Sequence, residues 1–145
     1  MKNAQLDLKT IKQIDKTGML DLLLDFPGQC KAALDTAGNV RIVFNERTFN
    51  KIVFVGLGGS AIGADVARSY LYSESKIPIN VYREYALPAC VDNSTLVFIL
   101  SYSGNTEEVL NAYRQAKEKS SSIMAVSSGG KLKEYAARDN ITFVH

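Results

Sequence analysis

The chain has 145 residues, of which 46% are hydrophobic and 22% charged, a composition typical of one globular domain with a sizeable core. The formal net charge is +2 and the basic residues are interspersed with acids, so we expect binding to neither nucleic acid nor an anionic membrane. No segment has the apolar length of a signal peptide or a membrane span, which predicts a cytoplasmic protein. Cys30 and Cys90 lack the spacing of a zinc or redox pair and are predicted to be buried free thiols.

The first part of the chain is predicted to be helical, because apolar residues recur at helical spacing from Asp7 to Ala37. Pro27 suits the first turn of a helix, and Gly38 is predicted to lie just past the end of that helix. We therefore assign residues 1–45 to an N-terminal helical segment that packs on a domain formed by residues 46–145.

Short apolar runs rich in β-branched residues then alternate with helical patterns. The predicted strands cover residues 52–55, 79–82, 95–100, 123–126 and 141–144. This alternation is typical of a doubly wound α/β fold, a parallel sheet with helices on both faces. The common five-strand order is 2-1-3-4-5, in which the first and third strands are neighbours and the ligand lies at their carboxyl ends.

The first predicted strand ends in a glycine-rich loop that runs from Gly56 to Ser60 and leads into a helix. Glycines allow close approach to a ligand, and the helix N-terminus offers unpaired N–H donors, so this loop indicates an anion site. Gly56, Gly58 and Ala61 also satisfy the dinucleotide-binding fingerprint, which keeps an NAD-binding Rossmann domain as an alternative. Against it, Glu84 lies twenty-eight positions after Gly56, whereas the acid that holds the ribose is expected after about twenty.

The third predicted strand is followed by the loop Ser101-Tyr102-Ser103-Gly104-Asn105-Thr106. Its serine and threonine hydroxyls and its backbone N–H groups could satisfy the three oxygens of a phosphate without a lysine or a metal. A simple N-cap at Thr106 or Ser103 would explain one hydroxyl but not three. A flavin mononucleotide loop is a further alternative, although in flavodoxins that loop follows the first strand.

With both loops placed, the sequence resembles the sugar isomerase (SIS) domain family and, within it, the bifunctional phosphoglucose/phosphomannose isomerases. The resemblance covers almost the whole chain and rests on residues 55–63, 85–88, 101–108 and 127–132. It implies a flavodoxin-like SIS fold in which Ser60, Ser101, Ser103 and Thr106 hold the substrate phosphate, assisted by backbone near Gly59. The loop Ser127–Lys131 could line the same pocket, but its role is left unassigned.

The resemblance also implies a function. These enzymes interconvert glucose 6-phosphate or mannose 6-phosphate with fructose 6-phosphate through an enediol, without a cofactor, as homodimers with two SIS domains per subunit. Their base, a glutamate, and their ring-opening histidine would lie beyond His145, so we assign no catalytic residue. Glu107 and Glu108 are poor bases because the helix N-terminus stabilises their charged form, and His145 is expected to be structural or incidental.

We therefore expect an N-terminal SIS domain that binds hexose 6-phosphate and either forms a homodimer or associates with a second SIS half. A stand-alone SIS module that senses sugar phosphate is the alternative from a non-enzyme class.

Overall fold

The computed structural model describes residues 7–43 and 48–145. The chain divides into two compact units, Met1–Asn39 and Val40–His145. The predicted boundary between residues 45 and 46 lies outside the described residues, and the packing of the N-terminal segment on the domain stays a prediction. Among the described residues, no helix combines the length and the apolar character needed to cross a membrane.

The first unit consists of helices: α1 (Leu8–Ile14), α2 (Met19–Leu24) and α3 (Phe26–Gly38). Asp7 begins α1 by accepting a hydrogen bond from the Thr10 N–H at 2.7 Å. Pro27 lies in the first turn of α3, as predicted. Gly38 is the last residue of α3, so its predicted place past the end is wrong. Asn39 ends the helix with a φ of −102°, and the left-handed residue that favours glycine is therefore not used.

The second unit is built on one parallel sheet. Its elements are β1 (Lys51–Val55), α4 (Gly59–Tyr70), β2 (Ile79–Tyr82), β3 (Thr95–Leu100), α5 (Glu107–Glu118), β4 (Ser122–Val126), α6 (Gly130–Arg138) and β5 (Thr142–Val144). The strand order is β2-β1-β3-β4-β5, and every pair is parallel. The predicted fold is thus confirmed, with strand ends within one residue of the predicted ones.

The core lies on the face of the sheet that α5 and α6 cover. Val53, Val97 and Ile123 are fully buried there, together with Tyr113 of α5 and Leu132 of α6. Alternate residues of a strand point to the same face, so the β-branched residues of β1, β3 and β4 reach this core together. Burying each such side chain contributes about 1.5–3 kcal/mol, which makes this face the main source of stability.

The opposite face carries α4. The rings of Phe54 and Phe98 stack with their centroids 4.6 Å apart, and Ala61 and Ala64 of α4 are buried. These small side chains let α4 lie close to β1 and β2, which places the N-terminus of α4 beside the carboxyl end of β1.

A cluster of polar side chains connects α5 to the end of α6. The Tyr113 hydroxyl donates to Asp139 Oδ2 at 2.8 Å, and Arg138 donates to both carboxylate oxygens at 2.9 Å. Lys117 lies 3.9 Å from the same carboxylate. The hydrogen bonds from Arg138 and then from Tyr113 lower the pKa of Asp139 below its ordinary value of 3.8.

We expect Asp139→Asn to reduce the free energy of unfolding by about 1 kcal/mol at neutral pH, since charged hydrogen bonds are replaced by neutral ones and Arg138 is largely exposed. Because the pKa of Asp139 is lowered in the folded state, its carboxylate stabilises the protein at pH values above the ordinary carboxyl pKa of 3.8. This contribution is lost as the pH falls below 3.8 and through the lowered pKa of the folded state. Urea unfolding at neutral and acidic pH checks this. The gap between wild type and variant should close in acid, and a constant gap would contradict the assignment.

Both cysteines are free thiols, as predicted, but both are exposed. The prediction that they are buried is therefore wrong. Cys90 lies in a turn between β2 and β3, outside the core, and Cys30 lies on α3, none of whose residues is buried.

Candidate functional site

The two predicted loops leave the sheet at the same edge. β1 and β3 are hydrogen-bonded neighbours, with Val55 paired to Ile99, so the chain that follows each strand emerges next to the other. At Gly56 an added Cβ would lie 3.1 Å from the carbonyl oxygen of Leu100. The absence of a side chain at Gly56 thus lets the first loop run against the end of β3.

Ser60 connects the two loops directly. Its Oγ accepts a hydrogen bond from the Tyr102 N–H at 3.3 Å. Gly58, and not Ser60, is the N-cap residue of α4, and the cap position makes no side-chain bond to the helix. The Ser60 hydroxyl is therefore oriented toward the second loop and does not cap its own helix.

Ser101 and Thr106 form a hydroxyl pair beneath the second loop. Their oxygens lie 3.0 Å apart, and Ser101 Oγ also accepts from the Gly104 N–H at 3.1 Å. Ser101 is only 3% exposed, whereas Thr106 is half-buried. Thr106 occupies the N-cap position of α5 but makes no side-chain bond to the helix. The N-cap alternative thus accounts for the position of Thr106 at the start of α5, but not for the hydrogen bond that its hydroxyl makes with Ser101.

The hydroxyl hydrogens of these residues are largely unused among the residues that the structure describes. In the bonds that the described residues form, Ser60 Oγ and Ser103 Oγ act only as acceptors, from the N–H groups of Tyr102 and Asn105. The Ser101–Thr106 pair uses one of its two hydroxyl hydrogens in their shared bond. Three O–H donors at this edge thus remain for an acceptor outside the protein.

Three helix N-termini point toward the same edge. The N-cap residues of α4, α5 and α6 are Gly58, Thr106 and Gly129, and none of them makes a side-chain bond to its helix. The first-turn N–H groups, including that of Gly59, the first residue of α4, carry partial positive charge. In α6 the N–H groups of Lys131 and Leu132 are already bonded within the protein, so the first-turn N–H groups of α4 and α5, together with the hydroxyls, form a donor cluster that suits an oxyanion.

The β4–α6 loop and the start of α6 are hydrogen-bonded to the second loop. The Ser127 and Ser128 hydroxyls donate to the Tyr102 carbonyl oxygen at 3.3 and 2.6 Å. Asn105 Oδ1 accepts from the Lys131 N–H at 3.1 Å, so a side chain of the second loop satisfies a donor of α6. Because these serine hydroxyls already donate to protein carbonyls, Ser127 and Ser128 hold the second loop in place. Sequence reasoning did not find the role of Asn105, because its partner lies twenty-six residues away.

A cavity of about 530 Å³ adjoins the donor cluster on the α4 face of the sheet. Its walls include Ser60 and Ser101, the apolar side chains Phe98 and Val126, and His145. His145 Nε2 lies 3.1 Å from the Ser128 carbonyl oxygen. The other three predicted residues, Gly59, Ser103 and Thr106, do not line this cavity, and a second cavity of about 670 Å³ near the start of β2 is lined by none of the five predicted residues.

Acidic groups near the cluster are few. Glu107 and Glu108 form the first turn of α5, and the Tyr85 hydroxyl donates to Glu107 Oε1 at 3.1 Å. In residues 7–43 and 48–145, no three His, Cys, Asp or Glu side chains come together as a metal site requires. The cluster is therefore a set of uncharged donors with a carboxylate held at its border.

The SIS domain profile matches residues 47–139, which include both loops and all three helix N-termini. The chain belongs to the SIS domain family. The five predicted site residues of this SIS domain, Gly59, Ser60, Ser101, Ser103 and Thr106, all lie within the matched range.

Curated relatives are similar in sequence to much of this chain. The bifunctional phosphoglucose/phosphomannose isomerase of Caldicellulosiruptor bescii is 43% identical over 126 residues, which are 87% of this chain and 37% of the relative. The D-glucosamine-6-phosphate 4-epimerase of Sulfolobus acidocaldarius is 37% identical over 91 residues, or 62% of this chain and 28% of the relative. The SIS chain thus spans about a third of the length of these relatives.

A solved structure shares the fold. A Salmonella typhimurium protein provisionally named a phosphosugar isomerase superimposes with a TM-score of 0.52 at 26% identity, covering 72% of this chain and 31% of that chain.

Proposed function

We propose that this SIS domain binds the phosphate group of a hexose 6-phosphate, as the N-terminal SIS domain of a phosphoglucose/phosphomannose isomerase. The observation that carries the proposal is the Ser101–Thr106 hydroxyl pair at an uncapped helix N-terminus, next to Ser60. The names of the relatives support the class of ligand, since both names specify sugar phosphates.

In this proposal the chain binds and orients the substrate. A phosphate dianion would accept hydrogen bonds from Ser60, Ser103 and one member of the Ser101–Thr106 pair, and from first-turn N–H groups that include Gly59. Helix dipoles would offset its charge without a lysine. The phosphate then fixes the position of the sugar carbons relative to the reacting groups.

Proton transfer between C1 and C2 of the opened sugar, through an enediol, is assigned to groups outside this chain. The observation behind this division is that Glu107, at the border of the cluster, is already engaged by Tyr85. In the same proposal the chain works in cytoplasmic carbohydrate metabolism and associates with a second SIS domain, from another copy or from a following half. The exposed stripe of Ile62, Val66 and Tyr70 on α4 is consistent with such a contact.

Calorimetric titration of the chain tests the proposal. We expect glucose 6-phosphate, fructose 6-phosphate and inorganic phosphate to bind, and unphosphorylated glucose and NAD not to bind. The phosphate group should supply most of the affinity, because the donor cluster recognises an oxyanion. Binding of glucose as tight as that of glucose 6-phosphate, or protection from thermal unfolding by NAD alone, would contradict the proposal.

A further inference from the structure

A strap between β2 and β3, residues 83–91, is hydrogen-bonded along one face of α5. The Tyr85 hydroxyl donates to Glu107, Asn111 Nδ2 donates to the Tyr85 carbonyl at 2.9 Å, and the Leu87 N–H donates to Gln115 Oε1 at 2.9 Å. Positions 107, 111 and 115 are four residues apart and therefore share one face of the helix. These hydrogen bonds hold the strap along α5, with Tyr85 next to the first turn of the helix.

The strap is anchored on both sides of Tyr85. Leu87 and Val91 are buried in the core at 8% and 2% exposure, and Arg83 forms an ion pair with Asp65 of α4. The Tyr85 carbonyl is bound by Asn111, although the side chain itself is 50% exposed. The ring of Tyr85 is therefore presented to Glu107 from a fixed backbone.

Glu107 lies where its negative charge can affect the binding of an anion. It is the first residue of α5 and directly follows Thr106 of the hydroxyl pair. A carboxylate in a first turn is attracted to the N–H groups at the positive end of its helix. These are the groups that a bound phosphate would use, and two anions at one helix end repel each other. The direction in which Glu107 points therefore affects the affinity for an anion.

We propose that Tyr85 is a positioning residue for the phosphate site: its hydroxyl holds the Glu107 carboxylate away from the N–H groups that α5 offers to an anion. This inference rests on the proposed function of the same site. The Tyr85 hydroxyl is a suitable clamp because a phenol, with an ordinary pKa of 10.0, stays protonated and remains a donor at neutral pH; the hydrogen bond to Glu107 raises this pKa further.

A double-mutant cycle tests the clamp, with inorganic phosphate and glucose 6-phosphate as probes in calorimetric titrations of the full chain. We expect Tyr85→Phe to weaken the binding of both probes about threefold to fivefold, because the released carboxylate competes for the N–H groups. Glu107→Gln alone should change the affinity less than about twofold. Adding Glu107→Gln to Tyr85→Phe should restore the affinity to within about twofold of wild type.

The matched control is Glu108→Gln, which removes the same charge from the same first turn but leaves the residue bonded to Tyr85 in place. Its effect should be the same with and without Tyr85→Phe. A purely structural role of Tyr85 would give a loss that Glu107→Gln does not restore, and that result would overturn the inference. Unchanged affinity in Tyr85→Phe would overturn the inference as well. In that case, binding of the two probes by the wild type would still support the proposed function. A wild type that binds neither probe would overturn both.

Discussion

Gly104→Ala is expected to lower the free energy of unfolding by about 2–4 kcal/mol and to abolish sugar-phosphate binding. Gly104 has a φ of +66°, where an alanine costs about 1–2 kcal/mol. Its added Cβ would also collide with the Gly129 carbonyl oxygen and lie 2.7 Å from Ser127 Oγ, which would force the β4–α6 loop to move. Urea unfolding and calorimetric titration with glucose 6-phosphate measure the two effects.

The loss of binding has a separate cause. The Gly104 N–H donates to Ser101 Oγ at 3.1 Å, and its carbonyl accepts from the Leu132 N–H at 3.0 Å. A shift of Gly104 therefore disturbs the hydroxyl pair and its connection to α6 together. Gly58→Ala is the control for backbone strain, because Gly58 has a φ of +52° but no atom within 4 Å of an added Cβ. A loss below about 1 kcal/mol in Gly104→Ala, which is less than backbone strain alone would cost, would show that the collision at Gly104 is absent.

The double variant Ser101→Ala/Thr106→Val is expected to bind glucose 6-phosphate about 30-fold more weakly, a loss of about 2 kcal/mol. The physical reason is that it removes the hydroxyl pair and with it a donor to a charged acceptor. The variant should still fold, since replacing both partners of a hydrogen bond by apolar groups is nearly neutral. The Gly104 N–H also keeps a backbone acceptor, the Ser101 carbonyl oxygen, at 3.2 Å.

Ser121→Ala provides the control for this variant. The Ser121 hydroxyl donates to the Asp92 carbonyl oxygen at 2.8 Å, next to the start of β4 at the opposite end of the sheet. We expect it to leave the affinity for glucose 6-phosphate unchanged. An affinity of the double variant within about twofold of wild type, with the fold intact by circular dichroism, would remove the hydroxyl pair from the proposed site.

Sequence patterns were sufficient to predict the sheet and the edge at which the two loops meet. Runs such as Ile52–Val55 and Thr95–Leu100 are short, apolar and rich in β-branched residues, which restricts them to buried parallel strands. Right-handed crossovers then leave few strand orders, and the order 2-1-3-4-5 makes β1 and β3 neighbours. The proximity of Ser60 to the Ser101–Thr106 loop follows from that order.

The tertiary structure alone decided what each of these polar groups does. Local pattern placed Thr106 at a helix start, but only the fold pairs its hydroxyl with Ser101 and leaves the first turn of α5 uncapped. The bonds from Asn105 to α6 and from Tyr85 to Glu107, and the exposure of Cys90, likewise depend on segments distant in sequence. Residue type and spacing determine which face or edge a residue occupies, whereas hydrogen bonding depends on distances of a few tenths of an ångström between separate loops. The distances between these loops are fixed only when the sheet has assembled.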